Sequence, residues 1–207
     1  ALLHKTVLVA GIPESTLASQ LDEWETNLPD FLTLSYLPSF GPVKLRLSGF
    51  LPDRKALETA IETQLVQLRS ILGTYIFAEE DCSPEAYIGQ LLKAKGLTIA
   101  TAESCTGGNI AHRLTSISGS SDYFMGSIVA YQNAVKMQQL GVSEESLRTV
   151  GAVSREVAEE MAEGVRNRLH TDIGIAVTGI AGPSGATDGK PIGTVWIGVC
   201  NSDKIIS

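Results

Sequence analysis

Basic residues are scarce in this sequence, which has 16 Lys and Arg against 23 Asp and Glu and a formal net charge of −7 at pH 7. Proteins that bind nucleic acids non-specifically neutralise phosphates with clustered Lys and Arg side chains. The sequence contains no basic cluster of that kind. The charge balance therefore argues against a nucleic acid as the partner.

Cysteines and long hydrophobic runs are also few. Cys82, Cys105 and Cys200 are odd in number and far apart, which favours a reducing compartment over a disulfide framework. No apolar run approaches the ~20 residues that span a bilayer, and no secretory signal pattern precedes the first strand. We therefore expect a cytoplasmic protein without a membrane partner. Because the sequence begins at Ala1 and ends at Ser207 in a strand-like run, we expect both ends to be cut from a longer chain.

The composition, 207 residues with 43% hydrophobic and 19% charged, is typical of a globular protein of one or two domains. In residues 1–78 the apolar spacing predicts a small α+β domain of order βαββα. Its two central strands form a hairpin through Gly41 and Pro42, and its last helix ends at Gly73. The predicted elements span 6–10, 14–24, 34–37, 43–47 and 54–72.

An acidic junction at 78–83 separates this region from a second domain, residues 83–207. Helices and strands then alternate, which predicts a layered α/β/α fold with a largely buried sheet. Runs of β-branched residues at 173–177 and 194–199 are typical of strands covered on both faces. The predicted helices span 84–95, 108–117, 134–140 and 154–169, and the other strands 97–102 and 127–131.

A strand-to-helix turn around Ser104 is the first candidate site. There Ser104 is either a nucleophile or only a helix N-cap. Backbone N–H groups of Thr106, Gly107 and Gly108 could hold an oxyanion or a phosphate. Cys105 is a rival nucleophile, because a helix N-terminus lowers a thiol pKa.

A serine nucleophile needs a base, and the sequence has only three histidines. His112 is the nearest, but eight helical residues correspond to roughly 12 Å, too far for a hydrogen bond. Lys136, close after Tyr131 and the strand 127–131, could lie on the same sheet edge as Ser104. An ordinary lysine is neutral in only about one molecule in 2,500 at pH 7, so Lys136 must be desolvated to act as a base; otherwise it is a solvated surface residue.

A third glycine-rich turn, 178–185, follows the buried strand 173–177 and is predicted on the same edge. Its glycines allow a ligand to approach the backbone closely. It lacks the lysine of a P-loop and the helix spacing of a dinucleotide fingerprint, so neither nucleotide motif is present. The turn is either a ligand-binding loop or an ordinary surface turn.

Four motifs in the second region occur together: Thr101-Ala102-Glu103-Ser104-Cys105-Thr106-Gly107-Gly108, Gly151-Ala152-Val153-Ser154, Thr178-Gly179-Ile180-Ala181-Gly182-Pro183 and Lys190-Pro191-Ile192-Gly193-Thr194-Val195-Trp196. From Ser83 to the last residue, the sequence resembles the C-terminal domain of the CinA family, the nicotinamide mononucleotide deamidases also called PncC. The first region looks like the KH-like domain that precedes it in full-length CinA proteins.

The resemblance implies a hydrolase that converts nicotinamide mononucleotide to nicotinate mononucleotide and ammonia without a metal or cofactor. It implies that Ser104 is the nucleophile, Lys136 the base, and Tyr131 a helper near the proton path. Which loop holds the oxyanion and which the phosphate stays open. The implied partners are the nucleotide substrate and a second copy of the chain. The substrate-binding candidates are Glu103, Thr106, Gly107, Gly108, Thr178, Gly179, Ala181 and Gly182.

Three departures from the family pattern accompany the match. Family members usually continue past Ser207 with a strand and a Gly-Asp-Arg segment whose arginine belongs to the site. Full-length members also carry an N-terminal domain resembling molybdopterin-binding proteins. The predicted hairpin turn reads Phe40-Gly41-Pro42-Val43 in place of a Gly-x-x-Gly loop, so nucleic-acid binding is not expected. The alternative function is a catalytically silent module that binds a nucleotide or recruits a partner in competence.

Overall fold

In the computed structural model, which describes residues 1–38 and 41–207, the chain divides into two units, Ala1–Pro84 and Glu85–Ser207. The predicted order of the first unit is confirmed. Its hairpin turn includes Phe40, which lies outside the described residues. The elements of this unit are β1 (Leu2–Val9), α1 (Glu14–Thr26), β2 (Leu32–Pro38), β3 (Val43–Phe50), α2 (Arg54–Leu72) and β4 (Ile76–Ala78).

Helix α2 shows why the sequence prediction succeeds here. Its leucines and Ile61 recur every three or four residues and are buried in the core. Asp53 caps the first turn by accepting N–H groups of Lys55 and Ala56, and Gly73 ends the helix with a φ of +51°. In the described part of the chain, no helix is both long and apolar enough to cross a membrane.

The sheet of the first unit has the order β2-β3-β1-β4. Strand β4 was not predicted, because three residues are too few to show a period of two. Along β3 the apolar residues are buried, while Lys44 and Arg46 point to the other face. Asp81 pairs with both cations at 2.7 and 2.9 Å, and its bonds to Lys44 and Arg46 lower the pKa of the Asp81 carboxyl. A single carboxylate thus pairs with both cations of this face within the unit.

The elements of the second unit are α3 (Pro84–Lys95), β5 (Ile99–Glu103), α4 (Asn109–Thr115), β6 (Phe124–Val129), α5 (Asn133–Leu140), α6 (Glu144–Thr149), α7 (Arg155–Leu169), β7 (Ile173–Gly179), β8 (Val195–Cys200) and β9 (Ile205–Ile206). Its five strands form one sheet of order β6-β5-β7-β8-β9 with helices on its faces, as the α/β prediction requires. Strands β6, β5 and β7 are parallel, so their carboxyl ends meet at one edge, here called the rim. Helix α6 was not predicted.

Helix α7 covers one face of this sheet. Ser154 caps it by accepting the N–H of Val157, and the predicted apolar face buries Val157, Met161 and Val165 completely. Gly164 lets α7 approach α5, because a Cβ there would lie 1.9 Å from the carbonyl oxygen of Leu140. The close contact joins the last residue of α5 to the second half of α7.

Strand β8 departs from the prediction of burial on both faces. It runs antiparallel to β7, and Val195 and Ile197 are 49% and 54% exposed. Gly198 and Cys200, on the α7 side, are buried. On the opposite face α4 packs over β5 and β6, which are separated from β8 by β7. A β-branched run thus predicts a strand correctly but does not report which of its faces a helix covers.

Candidate active site

Ser104 follows the last residue of β5 and is 8% exposed. Its N–H donates to the carbonyl oxygen of Val177 on β7 at 2.9 Å. On the other side, the N–H of Ala130 donates to the carbonyl oxygen of Glu103 at 2.8 Å. The turn is therefore held by both neighbouring strands, which places the Ser104 hydroxyl at the rim.

Lys136 lies in the first turn of α5 and is only 1% exposed, unlike a solvated surface lysine. Its Nζ is 3.1 Å from Ser104 Oγ, 2.7 Å from the carbonyl oxygen of Ala130 and 3.2 Å from that of Tyr131. Within residues 1–38 and 41–207, no carboxylate pairs with it. The amine and the hydroxyl form a buried pair.

The protonation state of Lys136 follows from this environment. Burial lowers the pKa of the Lys136 amine, because a desolvated ammonium is disfavoured. A neutral amine can donate two N–H groups to the carbonyls of Ala130 and Tyr131, which leaves its lone pair for the O–H of Ser104. An ammonium can donate to all three oxygens. A proton can thus pass between Oγ and Nζ without movement of the heavy atoms.

Glu103 is fully buried, and its carboxylate caps helix α4. Its oxygens accept the N–H groups of Gly108, Ile110 and Ala111 at 3.0, 3.0 and 2.8 Å. The sequence suggested that Glu103 and Gly108 contact substrate, but in the structure they bind each other. The sequence did contain a signal for this capping role, because Glu103 lies shortly before the N-terminus of a predicted helix, where a negative charge is stabilising.

The other backbone N–H groups of the turn differ in whether a carbonyl or carboxylate oxygen accepts them. The N–H of Gly107 donates to the carbonyl oxygen of Ser104 at 3.1 Å and is occupied. The N–H groups of Cys105 and Thr106 have no carbonyl or carboxylate acceptor in the described part of the chain. Both N–H groups point to the Cys105 sulfur, which is a weak acceptor, so they are the donors beside Ser104 that no oxygen accepts.

Cys105 packs against Gly179, where a Cβ would lie 2.9 Å from the sulfur. Burial raises the pKa of the Cys105 thiol by more than the nearby N–H groups and Lys136 lower it. The thiol is consequently protonated at neutral pH, and a thiol is a weak nucleophile. This environment favours Ser104 over Cys105 as the reacting group.

The glycine-rich turn after β7 starts at the same rim. Thr178 donates its hydroxyl to the carbonyl oxygen of Ala152 at 2.8 Å, so it tethers the segment before α7. The N–H of Ile180 donates to the carbonyl oxygen of Thr194, which closes the base of the loop. For Ala181 and Gly182 the described residues offer no acceptor to the backbone N–H. Their amides are free to meet a ligand.

Tyr131, predicted to assist proton transfer, contacts the Ser104–Lys136 pair through its main chain. Its side chain is 70% exposed, and its carbonyl oxygen accepts from Lys136 Nζ. No hydrogen bond joins a histidine to Ser104 among the residues that the structure describes. His, Cys, Asp and Glu side chains of those residues form no group of three that could hold a metal ion.

Comparison with known proteins identifies both regions. Residues 4–78 match the family described as the damage-inducible protein CinA KH domain, and residues 82–207 match the CinA C-terminal domain. A solved structure of the competence/damage inducible protein CihA from Agrobacterium tumefaciens is 42% identical, with a TM-score of 0.58, and covers 59% of this chain and 74% of its own.

Curated relatives cover nearly all of the chain. A CinA-like protein of Cytophaga hutchinsonii is 43% identical over 206 residues, which are 100% of this chain and 49% of the relative. A putative competence-damage inducible protein of Halothermothrix orenii is 45% identical over 202 residues, 98% of this chain and 48% of the relative. The chain thus spans about half the length of these relatives. With two matching domains and relatives of this similarity, the chain belongs to the CinA family.

Proposed function

We propose that the second unit is an amidohydrolase that converts nicotinamide mononucleotide to nicotinate mononucleotide and ammonia. The observation that carries the proposal is the buried pair of Ser104 Oγ and Lys136 Nζ, 3.1 Å apart, in which burial lowers the pKa of the amine. A protein that only binds a nucleotide needs no desolvated lysine beside a serine. The substrate is the one implied by the resemblance to the CinA deamidases.

In the first half of the reaction, the neutral amine of Lys136 takes the proton of Ser104 as Oγ attacks the carboxamide carbon. The carbonyl oxygen becomes an oxyanion. Collapse of this tetrahedral intermediate breaks the C–N bond, and the Lys136 ammonium returns its proton to the leaving nitrogen. The products of this half are ammonia and an acyl ester on Ser104.

In the second half, water hydrolyses the ester. Lys136 accepts one proton of the water as its oxygen attacks the acyl carbon, and then returns that proton to Ser104 Oγ. The acid product leaves as nicotinate mononucleotide. The lysine ends each cycle neutral, so no external base is consumed.

The oxyanion requires hydrogen-bond donors that no other oxygen already accepts. Glu103 and Ser104 occupy the N–H groups of Gly108 and Gly107. We therefore assign the oxyanion to the N–H groups of Cys105 and Thr106, which directly follow the nucleophile in the chain. This choice leaves the loop after β7 for the rest of the substrate.

Incubation of the purified protein with nicotinamide mononucleotide tests the proposal. We expect equal amounts of ammonia and nicotinate mononucleotide, measured by a coupled ammonia assay and by chromatography. If the nucleotide binds but neither product forms, the chain is a binding module, and the amidohydrolase proposal is wrong.

The pH dependence of kcat/KM is a second expected result. Only neutral Lys136 accepts the serine proton, so activity rises with pH along a limb of about tenfold per unit. Because burial lowers the pKa of Lys136, the midpoint of this limb lies below the ~10.4 of an ordinary lysine. Initial rates between about pH 6 and 10 measure it. Cys105→Ala should keep the limb, with a midpoint no higher than that of the parent, because Cys105 raises the pKa of Lys136; loss of the limb in this variant would assign it to the thiol.

A further inference from the structure

The substrate proposed above carries a phosphate as well as a carboxamide, and that anion needs its own binding group. The N-terminus of α4 is the nearest anion site by sequence, but the Glu103 carboxylate already fills it. An anionic phosphate beside a buried carboxylate would be repelled. The phosphate must therefore lie elsewhere on the rim.

Lys190, in the loop between β7 and β8, has the required charge. Its side chain is half-buried, and its Nζ donates to the carbonyl oxygen of Val150. No carboxylate pairs with Lys190 across residues 1–38 and 41–207. An ammonium has three N–H donors, so two remain for a ligand.

The backbone holds Lys190 in place. Lys190 and Thr187 exchange two backbone hydrogen bonds of 2.9 and 3.1 Å, which form a tight turn with Gly189 at a φ of +75°. A Cβ on Gly151 would lie 3.5 Å from Lys190 Nζ. The ammonium therefore sits directly over the segment that precedes α7.

Short contacts connect Lys190 to the nucleophile through that segment. Ala152, next to Gly151, accepts the hydroxyl of Thr178, and Val177, next to Thr178, accepts the N–H of Ser104. Gly182 packs against Ile192, two residues from Lys190, where a Cβ would lie 2.7 Å from a side-chain carbon. The cation and the free N–H groups of Ala181 and Gly182 thus belong to one loop on the rim.

We propose that Lys190 binds the phosphate of a pyridine ribonucleotide whose carboxamide lies at Ser104. This inference rests on the proposed function for the identity of the substrate. Charge-assisted hydrogen bonds from the two remaining N–H donors would contact the phosphate oxygens. Lys190 is accordingly a specificity residue that distinguishes a nucleotide from its nucleoside.

Calorimetric titration of nicotinamide mononucleotide and of nicotinamide riboside tests this role. All variants carry Ser104→Ala, so that no turnover occurs. Lys190→Gln is expected to weaken binding of the nucleotide by about tenfold or more and binding of the riboside by less than about twofold. Lys190→Arg, which keeps the charge, should retain most of the affinity for the nucleotide.

Lys204→Gln is the matched control, because it removes the same charge from the turn between β8 and β9. That turn lies at the end of the sheet away from the rim, since β8 is antiparallel to β7. The control should bind both ligands like the parent. Equal weakening of both ligands by Lys190→Gln, an unchanged affinity for the nucleotide, or no nucleotide binding by the parent would each overturn the inference.

The experiment separates this inference from the proposed function. Ammonia release by the unmodified protein, with no selective effect of Lys190→Gln, overturns only the phosphate site. A selective loss of nucleotide binding in Lys190→Gln, without ammonia release by the unmodified protein, supports the phosphate site and overturns only the amidohydrolase.

Discussion

Ser104→Ala is expected to reduce ammonia release from nicotinamide mononucleotide by at least about 10³-fold, because the acyl ester can no longer form. The substitution removes one oxygen from a buried turn whose backbone hydrogen bond to Val177 remains. The fold should therefore survive, and thermal unfolding should change little. Steady-state ammonia assays measure the loss.

Three further variants show whether this loss is specific to the Ser/Lys pair. Lys136→Met should reach the same residual rate, and the double variant should be no slower, because a nucleophile and its base act as a unit. Cys105→Ala should retain most of the activity, because its thiol is protonated and takes no part in the steps above. A Ser104→Ala protein that stays active, or a Cys105→Ala protein that does not, would contradict the Ser/Lys mechanism.

Glu103→Ala is expected to destabilise the second unit by about 3–5 kcal/mol, because it leaves three N–H donors of α4 without an acceptor. The site is fully buried, so water cannot readily replace the carboxylate. Urea unfolding followed by tryptophan fluorescence in a Trp24→Phe background, where Trp196 on β8 is the tryptophan that remains, reports the change.

The matched control for this prediction is Ser143→Ala, which removes the exposed N-cap of α6 in the same unit. It should cost about 0.5–2 kcal/mol, the usual range for an N-cap. Glu103→Gln keeps one carbonyl acceptor but places an NH₂ group against N–H donors, so its effect should fall between the other two. A Glu103→Ala protein no less stable than Ser143→Ala would show that the carboxylate does not hold α4.

The elements that sequence reasoning predicted well share a local cause. The leucine spacing in 54–72 and the following Gly73 define α2. Start and stop signals, Pro84 with Glu85 and then Gly96, define α3. Helix α6 and strand β4 have six and three residues, too few to show a period. Exposure of one face of β8 depends on the positions of helices elsewhere in the chain.

The candidate site likewise has a part that the sequence predicted and a part that it did not. The predicted parallel strands were sufficient to place Ser104 and the segment of Lys136 on one rim. They could not reveal that Glu103 turns its carboxylate to the N–H groups of α4, because successive strand residues point to opposite faces and only the position of α4 decides what each face meets.

By itself, the sequence determined the two regions, most helices and strands, the family resemblance and the residue types available for chemistry. Tertiary structure alone decided that Lys136 is buried 3.1 Å from Ser104, that Glu103 serves a helix, and that Lys190 faces the segment before α7 without an acidic partner in the described part of the chain. The physical reason is that secondary structure follows from local spacing. A pKa, by contrast, depends on desolvation and on neighbours that the fold brings from distant parts of the chain.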